Sequence, residues 1–152
     1  MDKKKEYKMK QDVLVSVSGL QYEVDAEEAV EVISVGKYHK IDEKHYISYE
    51  ETIASDEEDE GGITKNLLKI SSDLIEVCKK GYSNVTMVFE KGKKTMTYYN
   101  TPFGKLLIGI HTTSIHIEES EDELIVNIYY SLDMNYEYVS DCTITIKVID
   151  RV

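Results

Sequence analysis

The sequence predicts an all-β protein, a single antiparallel up-and-down β-barrel of about 8–10 strands. Three observations carry this. Runs rich in Tyr, Val, Ile and Thr alternate in polarity along nearly the whole chain, the period of half-buried strands. Short turn clusters separate the runs, and only 54–62 reads as a long loop. No window repeats its apolar residues at helical spacing, and Gly81-Tyr82-Ser83-Asn84 allows one turn at most.

The runs fall at 11–23, 29–39, 45–53, 63–70, 74–80, 85–90, 95–100, 105–117, 124–132 and 136–149. Hairpin registers test them, because residues opposite each other share a face. An Asp42-Glu43 turn sets Tyr38 against Ile47, Gly36 against Tyr49 and Val32 against Ile53. The Ser71-Ser72-Asp73 turn sets Ile70 against Ile75 and Leu68 against Val77. Gly92-Lys93 reads as a two-residue type II′ loop, placing Phe89 opposite Met96 and Met87 opposite Tyr98. The run 105–117 changes parity: Leu106, Ile108 and Ile110 share one face, Ile115 and Ile117 the other, so a bulge is expected near His111-Thr112-Thr113. With Asp133-Met134-Asn135 as a loop, the last hairpin pairs Leu132 with Tyr136, Tyr130 with Tyr138 and Leu124 with Ile144.

Ten hairpin-linked strands with one apolar face each need closure, since one flat sheet would leave long exposed edges. A closed barrel needs only short connections, whereas a two-sheet sandwich, the alternative, usually needs longer crossovers. The chain divides into a flexible basic tail, 1–10, and a barrel domain, 11–152.

Composition bounds the function. The 152 residues carry 29 Asp+Glu against 18 Lys+Arg, a net charge of -11, which argues against nucleic acid as a partner. The five Lys of residues 1–10, set against Asp2 and Glu6, read as a solvated terminus. No apolar run approaches the roughly 18 residues of a membrane span, and no signal-peptide core follows Lys3-Lys4-Lys5. No membrane partner and a cytoplasmic location are the expectation. Cys78 and Cys142 match no zinc spacing, and reduced thiols are expected. The oddity is 12 Tyr against 2 Phe and no Trp.

Several stretches together resemble a known family: Leu14-Val15-Ser16-Val17-Ser18-Gly19, His45-Tyr46-Ile47-Ser48-Tyr49-Glu50-Glu51, Met87-Val88-Phe89-Glu90, and Tyr98-Tyr99-Asn100-Thr101-Pro102-Phe103-Gly104 with Leu106 to Thr113. The chain is similar to the YwiB-like family, a domain of unknown function from Gram-positive bacteria, itself similar in fold to lipocalin-like (calycin) barrels. The resemblance covers about 11 to 149. It implies a fold and a bacterial cytoplasmic setting, and no activity, cofactor or catalytic residue. The Gly-x-Trp motif of secreted lipocalins is missing, so an extracellular carrier role is not implied.

The candidate ligand-binding residues are Tyr38, Tyr49, Glu51, Tyr98, His111, Tyr130 and Tyr138. Glu51 shares parity with Ile47, Tyr49 and Ile53, and an inward carboxylate must be paired, hydrogen-bonded or protonated. Tyr38, Tyr49, Tyr98, Tyr130, Tyr136 and Tyr138 fall on expected inner faces, each with a hydroxyl that needs a partner when buried. Such an interior suits a small polar or amphipathic ligand. His111, beside the expected bulge, is the best histidine candidate; His39 and His45 flank a turn and read as exposed. No metal or cofactor motif appears: Asp56-Glu57-Glu58-Asp59-Glu60 lacks the pattern of a calcium loop. The functional expectation is therefore a ligand-binding barrel and not an enzyme. The alternatives are a self-association module, such as a homodimer, and an enzyme using Glu51 with a Tyr or His111 as acid and base.

Overall fold

The structure is a computed structural model that describes residues 11–19, 31–53, 62–81, 84–101 and 104–151. The basic segment 1–10 and the acidic run 56–60 lie outside them. Ten strands follow in chain order: β1 Asp12–Ser18, β2 Glu31–Ile41, β3 Lys44–Ile53, β4 Gly62–Ile70, β5 Leu74–Gly81, β6 Val85–Glu90, β7 Lys94–Thr101, β8 Gly104–Glu119, β9 Glu123–Met134 and β10 Glu137–Asp150. All pair antiparallel in one sheet, in the order β6-β5-β4-β3-β2-β1-β10-β9-β8-β7. Every neighbour but one is a sequential hairpin or meander step, and β1–β10 joins the two ends of the chain. The sheet curls into a nearly closed barrel, as the alternation of polarity requires.

Turn chemistry decides the registers. Asp42 and Glu43 both have positive φ, 49° and 67°, a type I′ pair whose twist matches the flanking strands. The expected pairs Tyr38–Ile47 and Gly36–Tyr49 form, as do Ile70–Ile75 and Leu68–Val77 beyond the Ser71 turn. The last hairpin turns later than expected. Asn135 and Tyr136 make a second type I′ turn, φ 48° and 70°, so Met134 faces Glu137. A further irregularity between Tyr138 and Ser140 moves the ladder on, pairing Leu132 with Ser140 and Leu124 with Val148. Tyr136 and Tyr138 are thereby turned out to solvent.

The Gly92 hairpin also departs from expectation. Lys93 N–H donates to the Glu90 carbonyl at 2.9 Å, and positive φ falls on Gly92 at 79°. Glycine at the third position makes this a type II turn, whose twist splays the strands it joins. β6 and β7 become the two edges of the sheet, and Met96 and Tyr98 point outward while Phe89 and Met87 are buried. Thr95 Oγ1 donates to the Val88 carbonyl at 2.6 Å across this seam, while Gly92 N–H, donating to the Thr112 carbonyl at 2.9 Å, carries the β7–β8 ladder into the turn. The bulge in β8 lies where the parity change demands, between Thr112 and Ser114.

Aliphatic side chains fill the barrel axis. Ile47, Leu68, Ile75, Ile128, Ile144 and Ile146 are among the fully buried residues, and Phe89 meets Tyr130 edge-on across the seam, centroids 5.1 Å apart. The wall is incomplete at β2. Residues 31–37 of β2 pair with β1, but only 36–41 pair with β3. The expected Val32–Ile53 pair does not form; Val32 faces Val17, and Ile53 faces Gly62 on β4. β2 and β3 therefore part beyond Gly36 and Tyr49.

Gly36 stands where the strands part. A Cβ there would lie 2.7 Å from the Ser48 carbonyl oxygen and 3.0 Å from Val15 Cγ2. Gly36→Val should destabilise the protein by about 2 kcal/mol, the usual scale of overpacking. Urea unfolding followed by circular dichroism checks this, and an unchanged midpoint would contradict the close approach.

Candidate ligand-binding site

The parting of β2 and β3 opens a cleft of about 880 Å³ through the barrel wall. Its outer rim is Ile33, Val35 and Lys37 of β2 with Ser48 and Glu50 of β3; its floor is Tyr49, Glu51 and Asn66. The floor follows from register. Tyr49 lies directly opposite Asn66 on β4, and Glu51 opposite Thr64, so all four point to the inner face. Asn66 in turn faces Lys79 on β5, whose ammonium reaches the Glu51 carboxylate at 2.8 Å. That ion pair is the partner an inward carboxylate needs. Burial, and secondarily the Glu51 charge, push the Tyr49 phenol well above its usual pKa, so it remains an O–H at any ordinary pH.

Asn66 is 2% exposed. Its Nδ2 donates weakly to the Thr64 carbonyl at 3.4 Å, and its Oδ1 has no partner. A buried orphan acceptor costs roughly 1–3 kcal/mol. One acceptor beside the cleft floor thus lacks a donor.

A second polar group sits at the other end of the β2–β3 hairpin. The Tyr38 hydroxyl and His45 Nδ1 are 2.7 Å apart. His45 Nε2 lies 3.9 Å from Glu119 Oε1, and Lys40 holds Glu119 Oε2 at 2.9 Å. Burial, with help from the Glu119 charge, pushes Tyr38 up to about 12, so the phenol donates and Nδ1 accepts. The neutral imidazole then carries its proton on Nε2, toward Glu119. This chain links β2 and β3 to β8 across the barrel, since these strands are not neighbours in the sheet. A phenol this weakly acidic is no general base near neutrality, and the arrangement acts as a tie.

The candidates thus separate. Tyr49 and Glu51 come together on the cleft floor, Tyr38 belongs to the tie, and Tyr130 is packed in the core. Tyr98 and Tyr138 are not inside at all, being 60% and 63% exposed on the outer face; the type II turn and the later last hairpin put them there. His111 is exposed too, opposite Lys94 and Ser131. It precedes the bulge, which re-aims Ile115 and Ile117 rather than the histidine. His45 corrects the reading in the other direction. It is buried, and its parity with Ile47 and Tyr49 was the signal. Asn66 and Lys79 carried no motif, and only the β3–β4–β5 register finds them. Cys78 and Cys142 are free thiols.

The fold and family can now be matched. The family described as Domain of unknown function (DUF1934) matches residues 15–146. The chain belongs to that family. It is similar to the "Uncharacterized beta-barrel protein YwiB" of Bacillus subtilis (strain 168), 27% identical over 121 residues, 78% of this chain and 81% of that protein. The crystal structure of the ywiB protein from Bacillus subtilis superposes with a TM-score of 0.71 at 26% identity, covering 95% of this chain and 96% of that one. The family resemblance read from the sequence is borne out, and with it the all-β barrel. No helix among the described residues is long and apolar enough to cross a membrane.

The tie gives a pH dependence with a definite sign. Burial is the main influence that lowers the His45 pKa below its ordinary 6.5, outweighing the Glu119 attraction. The unfolded chain therefore takes up the proton first, and stability is full above about pH 6.5 and falls as the pH drops toward the folded value. The urea midpoint should decrease between about pH 7.5 and about pH 5.5, and less so in His45→Gln. Equal slopes in the two proteins would refute the assignment.

Proposed function

We propose that this chain is a binding protein for a small polar or amphipathic ligand, which enters the barrel wall between β2 and β3 and reaches the Tyr49–Glu51–Asn66 floor. The observation that carries this reading is the open cleft of about 880 Å³ where β2 and β3 part, with Tyr49, Glu51 and Asn66 beneath it. That volume falls in the range of roughly 300–1,000 Å³ usual for small-molecule sites. The filled axis leaves a lateral site rather than a lipocalin calyx. The likeness to lipocalins is one of strand plan, and fold analogy by itself assigns no transport. A cytoplasmic setting goes with this reading, supported by two free thiols in a chain that needs no disulfide. An acid–base role for Glu51 with His111 is not proposed, since the two lie on opposite faces of the wall.

Native mass spectrometry of the protein purified from its own host cells tests the reading. A small-molecule adduct is expected, and it should vanish in a folded Glu51→Leu/Asn66→Leu double variant. A bare polypeptide mass, or an adduct indifferent to both substitutions, would contradict it.

A second reading, self-association, is favoured by the outer face of β7–β10. Met96, Gly109, Asp133 and Tyr138 are register partners in one row, and Tyr98 and Tyr136 are exposed as well. Light scattering should then find a dimer that Tyr98→Ser/Tyr138→Ser dissociates, and a monomer at all concentrations would end this reading.

A further inference from the structure

We infer that the ligand of the cleft is a short extended peptide, which adds as a strand to the free edge of β2 at Ile33 and Val35. This rests on the reading of the cleft as a ligand site and names the class of compound it takes.

Main-chain direction carries the inference. In an antiparallel ladder, successive residues turn their N–H and C=O first to one neighbouring strand and then to the other. Tyr38 N–H donates to the Gln11 carbonyl at 2.9 Å, so the even-numbered residues of β2 are directed to β1 and the odd-numbered ones to β3. Lys37 and its partner Ser48 therefore bond to each other, and the same alternation aims Glu50 and Thr52 of β3 toward β2. Beyond Gly36 and Tyr49 the direction continues but the partners are lost. Ile33 and Val35 on one lip, and Glu50 and Thr52 on the other, have no ladder partner across the cleft among the described residues. Ile33, Val35 and Glu50 line the open cleft. Each lip thus offers main-chain donors and acceptors together, repeating about every 7 Å along the strand. Another extended backbone matches that spacing, and a single carboxylate, alcohol or amine does not.

The occupant is a free chain rather than the edge of a second barrel. Both lips belong to one sheet and converge at Gly36 and Tyr49, so the gap admits one strand and excludes a packed sheet. The β2 lip is the one chosen because it supplies side-chain contacts as well. Ile33 and Val35 are 64% and 51% exposed on the outer face, and Val35 continues into an outer row through Leu14 to Ile149. A residue paired with Ile33 or Val35 shares that face, so apolar, β-branched side chains suit those two positions of the peptide. The residues between them point inward, toward Ser34 and Glu51, and suit small polar side chains. Charge selects neither sign: Lys37 is paired with Asp12, Lys79 with Glu51, and Lys65 stands opposite Glu50.

The probe is the pentapeptide acetyl-Ser-Val-Ser-Val-Ser-amide. Two controls keep its side chains, one N-methylated at both valines and the other at the third and fifth residues. Each is titrated into the full chain, and amide hydrogen exchange is followed by NMR. The parent peptide and the serine-methylated control should slow exchange at Ile33 and Val35 about tenfold or more at saturation. The valine-methylated control, robbed of the bonds to β2, should bind at least about tenfold more weakly. Val35→Pro removes an N–H that the β1 ladder does not use, so it should fold and lose the peptide. Should that variant fail to fold, the two methylated controls decide the matter on the unaltered chain. Equal binding by the valine-methylated control would overturn strand addition and leave the cleft as a site. Ile33 and Val35 amides already protected before any peptide is added would overturn both. No response at those amides to any of the three peptides would overturn the inference alone, since the adduct from host cells tests the cleft separately.

Discussion

β2 changes partners halfway along, and the candidate site exists because of it. Its first half is paired to β1 and its second half to β3, with Gly36 and Lys37 the only residues in both ladders. Each strand residue has one N–H and one C=O to satisfy, and a buried ladder leaves few unpaired. Beyond Gly36 the inner edges of β2 and β3 no longer meet that demand for one another, so water or a ligand must. The same separation leaves Glu51 partly exposed, beside the buried Tyr49 and Asn66. Gly36 permits the arrangement by letting β2 cross close to Ser48 and Val15.

The rest of the barrel compensates for the gap. The axis is filled with aliphatic side chains, so the core is packed without an occupant in the cleft. The Tyr38–His45–Glu119–Lys40 tie secures the end of the β2–β3 hairpin to β8. The Lys79–Glu51 pair secures β3 to β5 on the side where β2 is missing. The hairpin is thus held at its closed end by a hydrogen-bonded network that ends in the Lys40–Glu119 ion pair, and at its open end by the Lys79–Glu51 pair.

Much of this was legible in the sequence, and the failures share a cause. The β2–β3 and β4–β5 hairpins could be registered from polarity because their turns, Asp42-Glu43 and Ser71 to Asp73, join the strands tightly. The bulge in β8 announced itself as a parity change. Gly92 and Asn135 were harder, because glycine serves type II as well as type II′ turns, and Asn-Tyr is a less obvious type I′ pair than Asn-Gly. Polarity could not correct these errors, since Tyr suits either face of a strand. That is why Tyr98 and Tyr138 were assigned inside and lie outside, while Tyr38, Tyr49 and Tyr130 were assigned correctly. Glu51 was found from parity, but its partner Lys79 and the neighbouring Asn66 belong to strands further along the chain. No local pattern connects them to it.

The account turns on whether β2 and β3 are parted in solution. Residue-resolved hydrogen exchange by NMR measures this directly, since paired amides are protected and unpaired ones are not. In residues 31–35 and 50–53, amides that point to β1 or β4 should be protected, while those that point across the cleft should exchange rapidly. Uniform protection through both segments would mean a continuous ladder and a closed wall, and would contradict the site proposed for this barrel.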